Sequence, residues 1–299
     1  MGAALTRELL RRGDHIVVVE PRRTPGRLSD IALDLEWVVG DASDLDTIVR
    51  AVNRRSVDAI YFGPFWRSDP PHDHLDREVD VMATSAMRMF QLARAVSIGR
   101  VVFPSSTAVH GPQPESGEPV DETSAVAPFA HRLYGALKLL CEQMGAEVND
   151  ALGANVVVSC RIPSVYGPGA DVASRQVNVP AVQAARGRSA ELDHSERARV
   201  CVCHVDDLAW ALAELMTPRQ VSHGLYEIGG LDVSFGDIVH SVRRKVPEFP
   251  ITFGTIERAS LPHSIDWSRI RTEIGLRHRP LDEGISSIID YELSQSPRT

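Results

Sequence analysis

Only four of the 299 residues are cysteine (Cys141, Cys160, Cys201 and Cys203), and no two of them form a CxxC pair. A disulfide scaffold and the common zinc and thiol-redox motifs are therefore excluded, and a reduced, cytoplasmic setting is the expectation. Cys201 and Cys203 alternate on a predicted strand and read as small residues of one face. Long apolar runs are also missing. Stretches such as Val156-Val157-Val158 stop after a few residues, so nothing spans a membrane, and the start lacks the apolar core of a secretory signal. Basic residues are in deficit, 32 Lys and Arg against 40 Asp and Glu, for a net charge of −8. Without a basic stripe, nucleic acid is not expected as a partner. Internal repeats and low-complexity linkers are absent.

What remains is ordinary globular material, 43% hydrophobic and 24% charged. Its length suits one large α/β domain or two smaller ones. A helix is predicted from Ala3 to Arg12, with Ala4, Leu5, Leu9 and Leu10 on one stripe and Gly13 as its stop. Strands follow at 15–19, 37–39 and 59–62, with a helix over 45–53 between the last two. A long helix over about 75–96 precedes a strand at 101–103. Another helix carries Tyr134, and a strand runs from Asn155 to Cys160. Such alternation predicts a doubly wound, parallel, Rossmann-like α/β sheet with helices on both faces. The dinucleotide-binding domain is placed at 1–162, with 200–228 returning to the main sheet. Residues 163–299 mainly form a smaller, discontinuous C-terminal substrate lobe.

Within Tyr134-Gly135-Ala136-Leu137-Lys138 a phenol stands four residues ahead of an ammonium. On a helix these positions share one face. A positive neighbour favours the phenolate, and a shift of about three units, roughly 4 kcal/mol, makes a tyrosine usable as an acid/base near neutrality. The same spacing also occurs on solvated helix faces. In a parallel sheet, ligands bind beyond the carboxyl ends of the strands. Glu20 ends one strand and can accept from both hydroxyls of an adenosine ribose, or reads as a solvated loop acid. Asp41 ends the next and can accept from an adenine amino group, or reads as a turn acid. Ser105-Ser106-Thr107 ends a third; a hydroxyl there can polarise a substrate oxygen or cap the next turn.

Taken together these segments resemble the extended short-chain dehydrogenase/reductase superfamily, in particular the NAD-dependent epimerase/dehydratase family of sugar-nucleotide enzymes. Val102 to Gly111 is similar to the family segment ending in Ser, small residues and Val-Tyr-Gly. Tyr134 and Lys138 match its YxxxK, with Glu142 four residues on. Arg161-Ile162-Pro163-Ser164-Val165-Tyr166-Gly167-Pro168-Gly169 resembles R-x-x-N-V-Y-G-P-G. His204 to Ala209 resembles H-V-D-D-x-A, Tyr226 to Gly230 resembles Y-N-I-G-G, and Asp266 to Leu276 the D-x-S-K…LG segment. The resemblance implies Ser106, Tyr134 and Lys138 as catalytic residues. It implies cofactor contacts at Gly2, Glu20, Asp41, Tyr134, Lys138 and Pro163, and substrate contacts at Ser106, Thr107, Ser164, Arg199 and Arg258. NAD is the implied cofactor because Glu20 repels a 2′-phosphate, although Arg22 and Arg23 keep NADP open. No metal is implied, and His72-Asp73-His74 reads as a polar loop triplet. The helices near 75–96 and 129–150 imply a homodimer.

Several positions depart from the family pattern. The family opens with a strand and T-G-x-x-G-x-x-G, whereas this chain begins at what matches the last glycine, Gly2. That makes Met1-Gly2-Ala3-Ala4-Leu5-Thr6, formally an N-myristoylation match, better read as the remnant of a phosphate loop. A start placed too far downstream, or a truncated gene, is favoured over a weak dinucleotide binder. Phe62-Gly63-Pro64-Phe65 replaces H-x-A-A, and Asp80 replaces an asparagine on the long helix. His110 stands for a tyrosine and reads as a hydrogen-bonded loop histidine. Val200 occupies the place of a diphosphate-gripping arginine, with Arg199 one step away and Arg258 as a candidate substitute. Three functions follow: an epimerase or dehydratase of a sugar or sugar nucleotide, a reductase or dehydrogenase of a non-nucleotide carbonyl or alcohol, and a non-catalytic cofactor sensor.

Overall fold

The structure is a computed structural model that describes residues 1–22, 26–53, 55–64, 74–128, 132–169 and 175–295. The chain divides into two compact units, the first formed by Met1–Ser106, Arg132–Cys160 and Ala209–Tyr226. The second comprises Thr107–His131, Arg161–Leu208 and Glu227–Thr299.

The first unit opens on α1 (Gly2–Arg12), which ends where Gly13 turns into the left-handed region at φ 88° and its N–H caps the last carbonyls. β1 (Val17–Glu20) pairs in parallel with β2 (Glu36–Val39). α2 (Leu45–Val52) starts at Asp44, whose carboxylate accepts from the N–H groups of Asp46 and Thr47. β3 (Ala59–Tyr61) leads towards α3 (Leu75–Val79), a wide turn over Asp80–Thr84, α4 (Ser85–Ala95) and β4 (Arg100–Ser106). α5 (Arg132–Leu152) and β5 (Val157–Ile162) follow the excursion of 107–131 into the second unit. The long helix expected over 75–96 is thus interrupted. At Asp80–Thr84 the Ser85 N–H reaches back five residues to the Asp80 carbonyl, and the Cys141 thiol donates to the Met82 carbonyl (3.3 Å).

The second unit carries β6 (Ser164–Tyr166), α6 (Arg175–Ala185), β7 (Ala190–Glu191), β8 (Arg199–His204) and the start of α7 (Val205–Met216). Both α7 and β9 (Leu225–Glu227) cross between units. β10 (Leu231–Ser234), α8 (Phe235–Arg243), β11 (Ile251–Thr252), α9 (Ser268–Ile274) and α10 (Leu281–Gln295) complete the chain. The capping box of Ser234 and Asp237 sets the start of α8.

Strand pairing corrects one expectation. The main sheet runs β3-β4-β5-β9, and β1-β2 is a separate parallel pair. The strand expected at 200–205 does not return to the main sheet: as β8 it lies between β6, in parallel, and β10, antiparallel. Its buried residues Val200 and Val202 belong to the core of the second unit, with Tyr166, Phe235, Ile238 and Ile285. Only β9 and the end of α7 go back. The first unit has its own core, built from Phe62, Met89, Phe90, Val101, Phe103, Leu137 and Val157. Phe90 and Phe103 meet edge to face at 5.9 Å. All four cysteines are free and buried.

Candidate active site

β4 is buried along its whole length and brings Pro104, Ser105 and Ser106 against α5. Positions 134, 138 and 142 recur every four residues and therefore lie along one side of that helix. Lys138, 6% exposed, donates from Nζ to the Pro104 carbonyl at 2.6 Å. Its ammonium sits 4.7 Å from the centre of the Phe103 ring and 5.8 Å from that of Tyr134. Burial pushes the Lys138 ammonium down to about 8, against the opposing influence of Cys141 and Glu142. Tyr134 is half-buried and packs on the first unit's core. Ser105 donates its hydroxyl to Glu142, both nearly fully buried. Ser106, 8% exposed, closes the strand. Tyr134, Lys138 and Ser106 thus all belong to the first unit, on the two elements that Lys138 bonds together.

Gly63 explains part of the departure at Phe62-Gly63-Pro64. A Cβ at 63 would lie 2.8 Å from Pro104 Cγ and 3.0 Å from the Tyr61 ring, so only glycine fits against this strand end. Phe65, the last residue of that segment, lies outside the described residues, as do Arg23, His72 and Asp73.

The remaining first-unit residues sit at strand or helix ends. Gly2 begins α1, and a Cβ added there would meet open space. Glu20 ends β1, half-buried, and its carboxylate makes no hydrogen bond among the described residues. Asp41 is more engaged than its sequence suggests. One carboxylate oxygen accepts from the Ser43 N–H (2.9 Å) and hydroxyl (2.8 Å), and the other is held by the Arg77 guanidinium. These contacts hold its carboxyl below the usual range, although burial alone pushes it the other way. Asp80, a departure on the long helix, is 41% exposed and lies 3.9 Å from both Arg77 and Arg88.

In the second unit, Thr107 is fully buried, and its hydroxyl has no hydrogen-bond partner among the described residues. Pro163 is buried between β5 and β6, and Ser164 opens β6 half-buried. Arg199 is committed elsewhere: its Nε donates to Asp232 Oδ1 (2.8 Å) and its Nη2 to the Asp232 carbonyl (3.0 Å). Arg258 is exposed.

His110 is not a simple loop histidine. Its Nε2 lies 2.6 Å from Glu227 Oε1, and Arg161 Nη1 lies 3.3 Å from both atoms. Two nitrogen donors converge on one carboxylate oxygen, so the imidazole carries its proton on Nε2. All three side chains are almost completely buried, and His110 Nδ1 and Glu227 Oε2 have no hydrogen-bond partner among the described residues. Burial raises the Glu227 carboxyl, while His110 and Arg161 pull it back. Sequence reading passed over Glu227. The available signal was an acid in place of the asparagine of Y-N-I-G-G beside a histidine in place of tyrosine.

His204 has a structural assignment. Its Nδ1 accepts from the Asp206 N–H (3.2 Å), so Nε2 donates to Ser287 Oγ (3.1 Å), which in turn donates to the Gly284 carbonyl (2.7 Å). Burial, followed by the charge of Arg279, pushes the imidazole down to about 4. Among the described residues no group of three or more His, Cys, Asp or Glu could hold a metal, and no helix is long and apolar enough to cross a membrane.

An α/β framework with a buried lysine bridging helix and strand beside a tyrosine narrows the class of protein. The chain belongs to the NAD dependent epimerase/dehydratase family, whose model matches residues 1–229. It is accordingly an enzyme of the NAD-dependent epimerase, dehydratase or dehydrogenase type, with a Rossmann-like fold. A solved UDP-glucose 4-epimerase from Thermus thermophilus, in complex with NAD, is 20% identical with a TM-score of 0.83. That alignment covers 99% of this chain and 96% of the other. A GalE-like L-threonine dehydrogenase from Cupriavidus necator gives 21% identity, a TM-score of 0.84, and coverage of 99% and 96%. A dTDP-glucose 4,6-dehydratase from Bacillus anthracis str. Ames with NAD gives 15%, 0.81, and coverage of 99% and 94%. At these identities the likeness shows the fold. Among curated sequences no protein matches significantly.

Proposed function

We propose that the chain is an NAD-dependent epimerase or dehydratase of a sugar or sugar nucleotide, working through Tyr134, Lys138 and Ser106. The observation that carries this reading is the buried Lys138 ammonium, bonded to the Pro104 carbonyl two residues before Ser106 and 5.8 Å from the Tyr134 ring. NAD, when bound, supplies the hydride acceptor and donor. Tyr134 takes the proton from a substrate carbinol, and Ser106 hydrogen-bonds the same oxygen. Lys138 keeps a positive charge beside the phenol; one of its three N–H donors serves Pro104, leaving two for a ribose. Glu20 suits the adenosine ribose hydroxyls, with Asp41 nearby at the end of β2, and α1 begins at Gly2 with room for a phosphate. The first unit is the dinucleotide domain on this reading; Thr107, Ser164 and Arg258 are substrate residues and Pro163 a cofactor residue by resemblance to the family. A cytoplasmic homodimer through α4 and α5 belongs to the same reading.

A second reading is favoured by one observation. Arg199, the residue nearest the expected diphosphate clamp, is held by Asp232. An unclamped site suits a dehydrogenase of a small non-nucleotide alcohol, the class to which the L-threonine dehydrogenase neighbours belong. Purified protein with NAD is offered UDP-glucose in one assay and L-threonine in another, reading sugar products by NMR and NADH by absorbance. Turnover of the sugar nucleotide is the expected result, with Tyr134→Phe slower by at least about 100-fold. Turnover of threonine alone selects the second reading. Full activity in Tyr134→Phe sinks both, and a folded protein that binds NAD but oxidises nothing is a sensor.

A further inference from the structure

Glu142 lies one helical turn beyond Lys138 and is 5% exposed, too deep to be a solvated partner. A buried carboxylate costs free energy unless its oxygens are hydrogen-bonded and its charge is matched. Ser105 donates its hydroxyl to Oε1, and the Lys138 ammonium, on the preceding turn of α5, is close enough for the Glu142 charge to favour its protonated form. Lys138 in turn bonds the Pro104 carbonyl. Consecutive residues of β4, Pro104 and Ser105, are thereby gripped by consecutive turns of one helix, immediately before Ser106. Among the described residues, Cys141 and Tyr134 on α5 and Cys160 on β5 are titratable groups near this pair, and Tyr61 on β3 neighbours Tyr134 and Cys160. Burial pushes the Cys141 thiol up to about 11 and the Cys160 and Tyr61 groups up as well, so none of these three supplies a negative charge at neutral pH.

We infer that Glu142 is a positioning residue for the proton relay: anchored by Ser105, its carboxylate keeps Lys138 in the ammonium form and locks it against the strand that carries Ser106. The inference rests on the relay reading for its importance and on the α5–β4 contacts for its existence. Two functions meet in one side chain. The hydrogen bond to Ser105 fixes where the end of β4 lies, and the negative charge offsets part of the penalty of burying Lys138. Without it, a lysine already depressed to about 8 falls further and loses much of its charge at neutral pH.

Lysine is scarce enough to make this directly measurable. The chain has only Lys138 and Lys245, and Lys245 is a surface residue paired with Asp290. Full-length protein grown on 13Cε-lysine gives two side-chain resonances, assigned with Lys245→Arg. The Lys138 signal is expected to titrate near 8 in the wild type and about one pH unit lower in Glu142→Gln. Glutamine keeps an oxygen for Ser105 and removes only the charge, so at pH 7.5 the charged form falls about threefold. Glu142→Asp retains the charge and is expected to stay closer to the wild type than Glu142→Gln. Ser105→Ala removes the hydroxyl donor from the carboxylate and moves the midpoint down by less than Glu142→Gln.

An unchanged Lys138 midpoint in Glu142→Gln overturns the inference, as does an aspartate variant that falls as far as the glutamine one. Should Glu142→Gln not fold, the Ser105→Ala shift decides in its place, and its absence is equally fatal. The titration needs no turnover, so the two readings fail separately. Loss of turnover in Tyr134→Phe with no Lys138 shift in Glu142→Gln leaves the relay and removes the role of Glu142. A Lys138 shift in a protein whose turnover ignores Tyr134 does the reverse.

Discussion

Replacing Lys138 by methionine tests whether the protein bears a free-energy cost to keep this charge buried. The Lys138 ammonium lies at about 8 in the folded chain against an ordinary lysine value of 10.5, with burial as the leading cause. At 1.36 kcal/mol per unit, the charged form costs about 3 kcal/mol of stability at neutral pH. The sign follows from proton binding. Between pH 8 and 10.5 the unfolded chain holds this proton more tightly than the folded one, so the cost is complete below 8 and is relieved as pH rises. Methionine preserves the volume and does not titrate. The stability difference, wild type minus Lys138→Met, is therefore expected to rise by about 2 kcal/mol from pH 7 to pH 9.5. Urea denaturation at each pH, followed by tryptophan fluorescence, reads it. Other titrating groups and the lost Pro104 bond are nearly constant offsets, and they cancel in the change. A difference that is flat with pH, or one that falls, refutes the reasoning. So does a Lys138→Met protein that retains activity, because a costly buried charge is expected only where function requires it.

Three more outcomes follow from separate parts of the molecule. Glu20→Gln removes the carboxylate at the end of β1, and calorimetry is expected to show NAD binding weakened by about threefold to tenfold with NADP binding unharmed; an unchanged ratio means Glu20 does not face the ribose. Arg161→Met takes the guanidinium from the buried Glu227 and leaves His110 as its hydrogen-bond donor, at about 3–5 kcal/mol, and the melting temperature should fall by roughly 10 °C. Ser97 holds φ at 54°, a left-handed conformation that costs a non-glycine residue about 1 kcal/mol. Ser97→Gly should therefore raise the stability measured by urea denaturation slightly, by about 0.5 kcal/mol once glycine's extra chain entropy is counted.

Much of the first unit was legible from the chain because local rules agreed there. The α1 stripe with its Gly13 stop, the capped α2, and the alternation of apolar strands with helices each carry a period or a terminator that a sequence displays. The row of Tyr134, Lys138 and Glu142 along one side of α5 was legible for the same reason, since helix spacing alone relates these positions. What escaped depended on partners remote in sequence. The turn at Asp80–Thr84 leaves no compositional mark, and its carbonyl partner Cys141 is 59 residues away from Met82. The strand β8 reads like any buried strand, and only its pairing with β6 and β10 decides which sheet it joins. Arg199 looked available as a clamp because nothing local announces Asp232, 33 residues on.

The knot of His110, Glu227 and Arg161 constrains how this chain can change. Tyrosine at 110 alone would strip Glu227 of its closest donor, and asparagine at 227 alone would take the Glu227 charge away from the buried Arg161 guanidinium. Each single step costs several kcal/mol, a large share of the stability of a typical domain. The two positions are therefore expected to change only together, although they lie 117 residues apart along the chain; in space they are 2.6 Å apart. His110 stands four residues past Ser106 in the chain, so the segment that follows Ser106 is tied to a residue far downstream. An engineer restoring the family's tyrosine would have to rewrite both positions in one move.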